Sequence, residues 1–299
     1  MKDLLVINEI YLSLQGESTR AGLPCVFVRL TACDLRCSYC DTAYAFTEGK
    51  KMSVEDVVAR VRELAAPFKQ PGNPSGAASN FASSPCEARA GRGPRRGETH
   101  NDEPPLPSPL LHPMEEREKS RSLVQSRNPS GLPLVELTGG EPLLQKPALP
   151  LMTALCEEGF TVLLETSGAH DIAQVDPRVH CIMDLKCPSS GEVSRNRWEN
   201  LRHLKSKDEI KFVIGTEQDY DWAKQQIAAH QLALICPILL SWVSPLSTAQ
   251  QNATLKKISP DQKPIARRDL AERIIADALP VRFQVQMHKV IWAPDARGV

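Results

Sequence analysis

The sequence carries no excess charge, no long apolar run and few aromatic rings. Lysine plus arginine equals aspartate plus glutamate at 36 each, so no overall field draws in nucleic acid, and any bound anion must be caught locally. No stretch approaches the length of a membrane span. The first residues, Met1-Lys-Asp-Leu-Leu-Val-Ile-Asn8, offer too short an apolar run, behind an acid, for a secretory signal. Nine cysteines form no paired framework, and a 299-residue chain can bury a core without disulfide staples. These absences imply a cytoplasmic chain with reduced thiols, engaging neither membrane nor nucleic acid. No internal repeat is apparent.

Proline and glycine are concentrated in one place. Residues 69–131 hold ten of the 24 prolines and a single aromatic, Phe81. Such a segment buries too little apolar surface to offset its ordering entropy, which predicts a disordered insertion. Its basic cluster, Arg89, Arg92, Arg95 and Arg96, lacks interleaved aromatics and reads as solvated linker.

Without that insertion about 236 residues remain, the size of one catalytic domain. Short apolar runs at 25–30, 134–137, 161–164, 179–183, 210–214, 233–239 and 281–285 predict buried strands. Helical periods fall between them: one opened by Ser53-Val-Glu-Asp56, with Val57, Val58, Val61 and Leu64 on one side, and others at 148–158, 218–230 and 268–279. The alternation predicts an α/β fold with a mainly parallel sheet and function at the carboxyl ends of its strands.

What is present there is chemistry. After the first apolar run stands Cys33-Asp-Leu-Arg-Cys37-Ser-Tyr-Cys40. Three thiolates on one short loop can ligate three irons of a cubane cluster and leave the fourth iron open to bind a cofactor or substrate. They could also hold zinc with a distant fourth ligand, or be reduced bystanders. A second strand ends in Thr138-Gly-Gly-Glu-Pro142, where two glycines allow close backbone approach and a carboxylate can accept from an ammonium group. Cys25, Cys86, Cys156, Cys181, Cys187 and Cys236 form no second cluster spacing and read as core thiols or bystanders, with Cys187 close in sequence to Lys186.

The C-x3-C-x2-C loop and the Gly-Gly-Glu turn together resemble the radical S-adenosylmethionine (SAM) enzymes. The resemblance implies a partial (β/α) barrel and a [4Fe–4S] cluster on Cys33, Cys37 and Cys40. It also implies SAM held by Tyr39, Cys40, Asp41, Gly140, Glu141, Ser167, Asp184, Leu185, Lys186 and Ser241. In that family the open iron chelates the amino and carboxylate groups of the cofactor, and Glu141 matches the residue that accepts its amine.

The ends of the chain narrow the resemblance. Tyr11-Leu-Ser-Leu-Gln-Gly-Glu17, Arg29, Cys40-Asp-Thr42 and Gln284-Val-Gln-Met-His-Lys-Val-Ile-Trp292 resemble the 7-carboxy-7-deazaguanine synthases of queuosine biosynthesis. There the resemblance implies ring contraction of 6-carboxy-5,6,7,8-tetrahydropterin with loss of ammonia, magnesium on Thr42, and a substrate site of Leu14, Gln15, Gly16, Arg29, Thr138 and His288. It further implies a flavodoxin or ferredoxin as electron donor, and a homodimer. A buried arginine on a strand needs an anionic partner, and a pterin carboxylate would supply one to Arg29. Ser18 stands where the family usually has glycine, and Trp242 interrupts the pattern around Ser241. Other readings are a glycyl-radical-enzyme activase or a non-catalytic iron–sulfur or zinc protein; the small-molecule anchors oppose the first and Glu141 with its glycines the second.

Overall fold

Alternating apolar strands and amphipathic helices assemble into one wound sheet in the computed structural model, which describes residues 4–69, 131–293 and 295–299. In chain order come β1 (Leu4–Leu14), β2 (Pro24–Leu30), β3 (Lys50–Ser53), α1 (Val54–Ala65), β4 (Leu134–Gly139), α2 (Ala148–Glu157) and β5 (Val162–Thr166). Then follow β6 (His180–Asp184), β7 (Glu209–Ile214), α3 (Glu217–Ala229), β8 (Ile238–Trp242), α4 (Arg267–Ala276), β9 (Arg282–Gln284) and the one-turn α5 (His288–Ile291). The sheet order is β3-β1-β2-β4-β5-β6-β7-β8-β9, parallel from β2 onward. Two antiparallel strands, β1 and β3, complete one edge. The expected insertion lies, apart from Lys69 and Gly131, outside the described residues, as do Cys86 and the arginine cluster.

Side-chain alternation sorts the strands into two faces. On β2, Val26, Val28 and Leu30 join the main core beneath the helices, with Val135 and Leu137 of β4 and Ile210, Phe212 and Ile214 of β7. The opposite face carries a smaller apolar group, Cys25, Phe27, Leu134, Leu163 and Ile182, and then turns polar toward the carboxyl ends. Helix α1 starts as its sequence predicts: Ser53 Oγ accepts from Asp56 N at 3.2 Å, and Asp56 Oδ2 accepts from Ser53 N at 3.4 Å.

Two expectations shift. The run 233–239 is not one strand, because Leu232–Leu234 forms a helical turn and Pro237, which has no N–H to give a ladder, delays the strand to Ile238. Strands β1 and β3 were not expected. β1 has a partly buried, mixed pattern on an antiparallel edge and lacks the continuous apolar run of a central strand.

Candidate active site

The cysteine loop leaves β2 through Ala32, whose φ of 77° lies in the left-handed region. That conformation aims the Ala32 carbonyl at β4, where it accepts from Glu141 N at 2.8 Å, while Gly140 N donates to Leu30 O at 3.1 Å. Gly139 and Gly140 are required by this packing. A Cβ on Gly140 would stand 1.9 Å from Ala32 O, and one on Gly139, at φ +125°, 2.2 Å from Leu30 O. What the two glycines let close is thus the cysteine loop itself. The loop's far side is tied down by Ser38 Oγ to Ser189 O at 2.7 Å and by Arg36 N to Glu192 Oε1 at 2.7 Å.

Cys33, Cys37 and Cys40 are free thiols lining one cavity of about 550 Å³ at the carboxyl ends of the parallel strands. Burial pushes the Cys33 thiol up to about 11 and Cys37 up to about 12, and raises Cys40, although the Lys186 ammonium pulls each the other way. Sites of this kind release protons when metal arrives. Tyr39, Asp41 and Thr42 line the same wall. Thr42 precedes the helical turn Ala43–Phe46 but makes no capping hydrogen bond; its hydroxyl sits 3.8 Å from Cys40 Sγ.

The next strand ends supply Gly140, Ser167, Asp184, Lys186 and Ser241, all on the cavity wall. Lys186 Nζ pairs with Asp184 Oδ2 at 2.6 Å. Burial opposes the Lys186 charge, but Asp184 outweighs it and holds the ammonium above its usual range. Two expected residues are placed differently. Leu185 is fully buried in the main core, because its side chain falls on the helix-facing side, so only its backbone is near the site. Glu141 is fully buried too and does not line the cavity. Its carboxylate accepts from Ser167 N and Oγ at 2.7 and 2.6 Å, from Thr166 Oγ1 at 2.9 Å and from Leu143 N at 3.0 Å, so it braces the ends of β4 and β5. Cys187, close in sequence, is a core thiol.

The cavity floor comes from the loop after β1. Gln15, Gly16 and Glu17 line it with Leu14, Arg29, Thr138 and His288. Arg29 finds its anion within the chain: Nε donates to Glu9 Oε1 at 2.7 Å and Nη2 to Tyr11 Oη at 2.9 Å. His288 packs against Gly16, where a Cβ would meet its Nδ1 at 2.6 Å. Burial keeps the imidazole pKa below its usual value. Gln286 Nε2 bridges Glu17 Oε1 at 3.0 Å and Asp41 Oδ2 at 3.2 Å, and Lys289 Nζ reaches Asp41 at 2.5 Å, linking the floor to the cysteine loop. Burial opposes ionisation of Asp41, but Lys289 outweighs it and the carboxyl lies below its usual range.

Sequence reasoning missed Lys211 and Glu136, which complete a row of charges on the inner face. Lys211 is paired with Glu165 and lies 3.2 Å from Glu17; Thr138 Oγ1 donates to Glu165 Oε2 at 3.1 Å; and Gln15 Nε2 donates to Glu136. Burial raises the Glu136 carboxyl well above its usual range, with Glu165 adding to the rise. In Glu165 the Lys211 ammonium outweighs burial and holds the carboxyl low. The missed signal was a charge inside an apolar strand, as in Leu134-Val-Glu-Leu137 and Ile210-Lys-Phe212.

The donor set suits a cluster. Cys33, Cys37 and Cys40 are free and line one cavity, and a cubane takes one thiolate at each of three corners. Beside the thiols, Tyr39 Oη and Asp184 Oδ1 are buried without a hydrogen-bond partner, as expected where a polar group is to be received.

A parallel α/β sheet with a C-x3-C-x2-C loop locked to a Gly-Gly-Glu turn at its strand ends defines a radical SAM enzyme. The chain is 36% identical over 98% of its length to the 7-carboxy-7-deazaguanine synthase of Koribacter versatilis, covering 99% of that protein. It is 35% identical over 99% of its length to that of Chlorobaculum tepidum, covering 97% of it. It belongs to the 7-carboxy-7-deazaguanine synthase family. The crystal structure of QueE from Escherichia coli shares the fold, with a TM-score of 0.55 at 19% identity and 95% of each chain covered. No protein-family model matches the chain. Among the described residues no helix is long and apolar enough to cross a membrane.

Proposed function

We propose that the chain converts 6-carboxy-5,6,7,8-tetrahydropterin to 7-carboxy-7-deazaguanine with loss of ammonia. The observation carrying this reading is that one cavity gathers the three thiols, the Gly140, Ser167 and Asp184–Lys186 strand ends, and the Gln15–Arg29–His288 floor. Cys33, Cys37 and Cys40 would hold the cluster, and Tyr39, Asp41, Gly140, Ser167, Lys186 and Ser241 would flank SAM. Glu141 would serve from behind by fixing Ser167. When bound, the reduced cluster and SAM supply a radical that takes a hydrogen atom from substrate.

The chain's own residues then bind and orient. Arg29, its Nε and Nη2 edge held by Glu9 and Tyr11, would present Nη1 to the substrate carboxylate. His288, uncharged at neutral pH, would offer a ring nitrogen beside Gly16. Thr42 is the proposed magnesium ligand; magnesium takes few protein oxygens and keeps its waters, so one hydroxyl that caps no helix is enough. A flavodoxin or ferredoxin would deliver the electron, and the working form would be a homodimer, both on the strength of the family.

The test is anaerobic reconstitution with iron and sulfide, followed by product analysis with SAM, reductant and the carboxylated tetrahydropterin. Wild type should form 5′-deoxyadenosine and 7-carboxy-7-deazaguanine, and Cys37→Ala neither. Deoxyadenosine without the deazapurine would leave the radical SAM reading standing and remove the synthase.

A further inference from the structure

Glu136 is a buried carboxyl with little to hold it. It stands 3% exposed on the inner face of β4 and lines the cavity floor, and the one hydrogen bond it receives among the described residues comes from Gln15 Nε2. Burial and the neighbouring Glu165 disfavour its charge, with Lys211 opposing them. A carboxyl so placed is costly unless something donates to it, and a polar group retained at such a position commonly faces a ligand.

Its position relative to Arg29 narrows what that ligand presents. In the β2–β4 register Arg29 pairs with Thr138 and Phe27 with Glu136. The two rows are one inner-face step apart, about 6.6 Å, comparable to the span between the ends of a fused two-ring ligand. A ring whose carboxylate meets Arg29 would lie along Phe27, itself stacked on Tyr11 at 5.1 Å, and bring its far edge to Glu136. Gln15 cannot compete for that edge by turning, because its Oε1 accepts from Glu17 N at 2.9 Å while Nε2 faces Glu136.

We propose that Glu136, oriented by Gln15, accepts the 2-amino N–H of an aminopyrimidinone ring and so sets a preference for 2-amino over 2-oxo heterocycles. This rests on the proposed substrate and adds to it a residue that decides which ring the floor accepts. The N–H donors of such a ring would hold Glu136 ionised against burial, and a 2-oxo group facing that carboxylate would leave two acceptors opposed, whereas an amide there could donate to the oxygen.

The experiment measures binding of 7-carboxy-7-deazaguanine and of its 2-oxo counterpart to the reconstituted full chain with SAM bound, for wild type, Glu136→Gln and Arg29→Ala. Glu136→Gln keeps the shape and a partner for Gln15. Wild type should favour the 2-amino ligand, and Glu136→Gln should reduce that preference by about ten- to hundredfold, the effect of one hydrogen bond to a charged group. The ratio of affinities within one variant is independent of its folded fraction. Arg29→Ala should weaken both ligands and keep the ratio. An unchanged ratio in Glu136→Gln, with wild type still converting the pterin, overturns the assignment and leaves the function intact. Wild type that neither converts the pterin nor binds 7-carboxy-7-deazaguanine overturns the functional reading, and this inference with it.

Discussion

The carbonyl oxygen of Ala32 occupies the place a side chain on Gly140 would need, with 1.9 Å between it and the position of that Cβ. Cysteine loop and glycine turn are thereby one packed unit, joined by the Glu141 N to Ala32 O hydrogen bond.

Gly140→Ala should force that unit apart. Both partners are backbone, so neither can turn away, and a loss of about 2–3 kcal/mol or more is expected from overpacking. Denaturant unfolding reads the stability, and iron content after reconstitution reads the loop. Wild-type values for both would show that the contact yields easily.

Ala32→Gly should act in the opposite sense. A φ of 77° strains any L residue and suits glycine. Relief of that strain, less the greater freedom of glycine in the unfolded chain, should stabilise by about 0.5–1 kcal/mol. The check is the unfolding midpoint, and a lower midpoint would contradict the strain.

Lys211→Met removes the cation between Glu165 and Glu17. Lys211 is buried but its two carboxylate partners are partly exposed, so its loss should cost less than breaking a fully buried pair, about 1–3 kcal/mol at neutral pH. The sign with pH follows from Glu165. Its folded pKa lies low in wild type, so the wild-type contribution is present above the unfolded pKa and lost as pH falls through the folded one. Without Lys211 burial dominates, the folded pKa rises, and the variant's deficit should shrink as pH drops from neutral into the carboxyl range. Unfolding free energies at several pH values test this; a deficit constant with pH would contradict it.

Thr42→Val should leave the fold nearly untouched, within about 0.5 kcal/mol, because the hydroxyl caps nothing. Turnover should respond less to added magnesium, since a methyl group cannot coordinate a hard cation. A wild-type magnesium response in the variant would remove Thr42 from the proposed site.

The rim of the site was legible in the sequence because its residues follow strands. Cys33, Gly140, Ser167, Lys186 and Ser241 each stand at or just past the carboxyl end of an apolar run, and a parallel sheet brings such ends together. The floor was not legible. Glu136, Lys211 and Glu165 belong to different strands, and their pairing is a property of register across the sheet. Glu141 shows the converse: motif and placement were readable, but the direction of the carboxylate depends on Thr166 and Ser167 of the neighbouring strand. Ser18, noted as a departure from glycine, adopts φ 66°, which accounts for glycine being usual there.

Gln15 has both ends of its amide committed before any ligand arrives. A free glutamine on a cavity floor would surrender its rotamer freedom, on the order of 1–2 kcal/mol, at every encounter with substrate. Here that entropy is lost once, when the chain folds, and the floor meets each molecule with its shape already set.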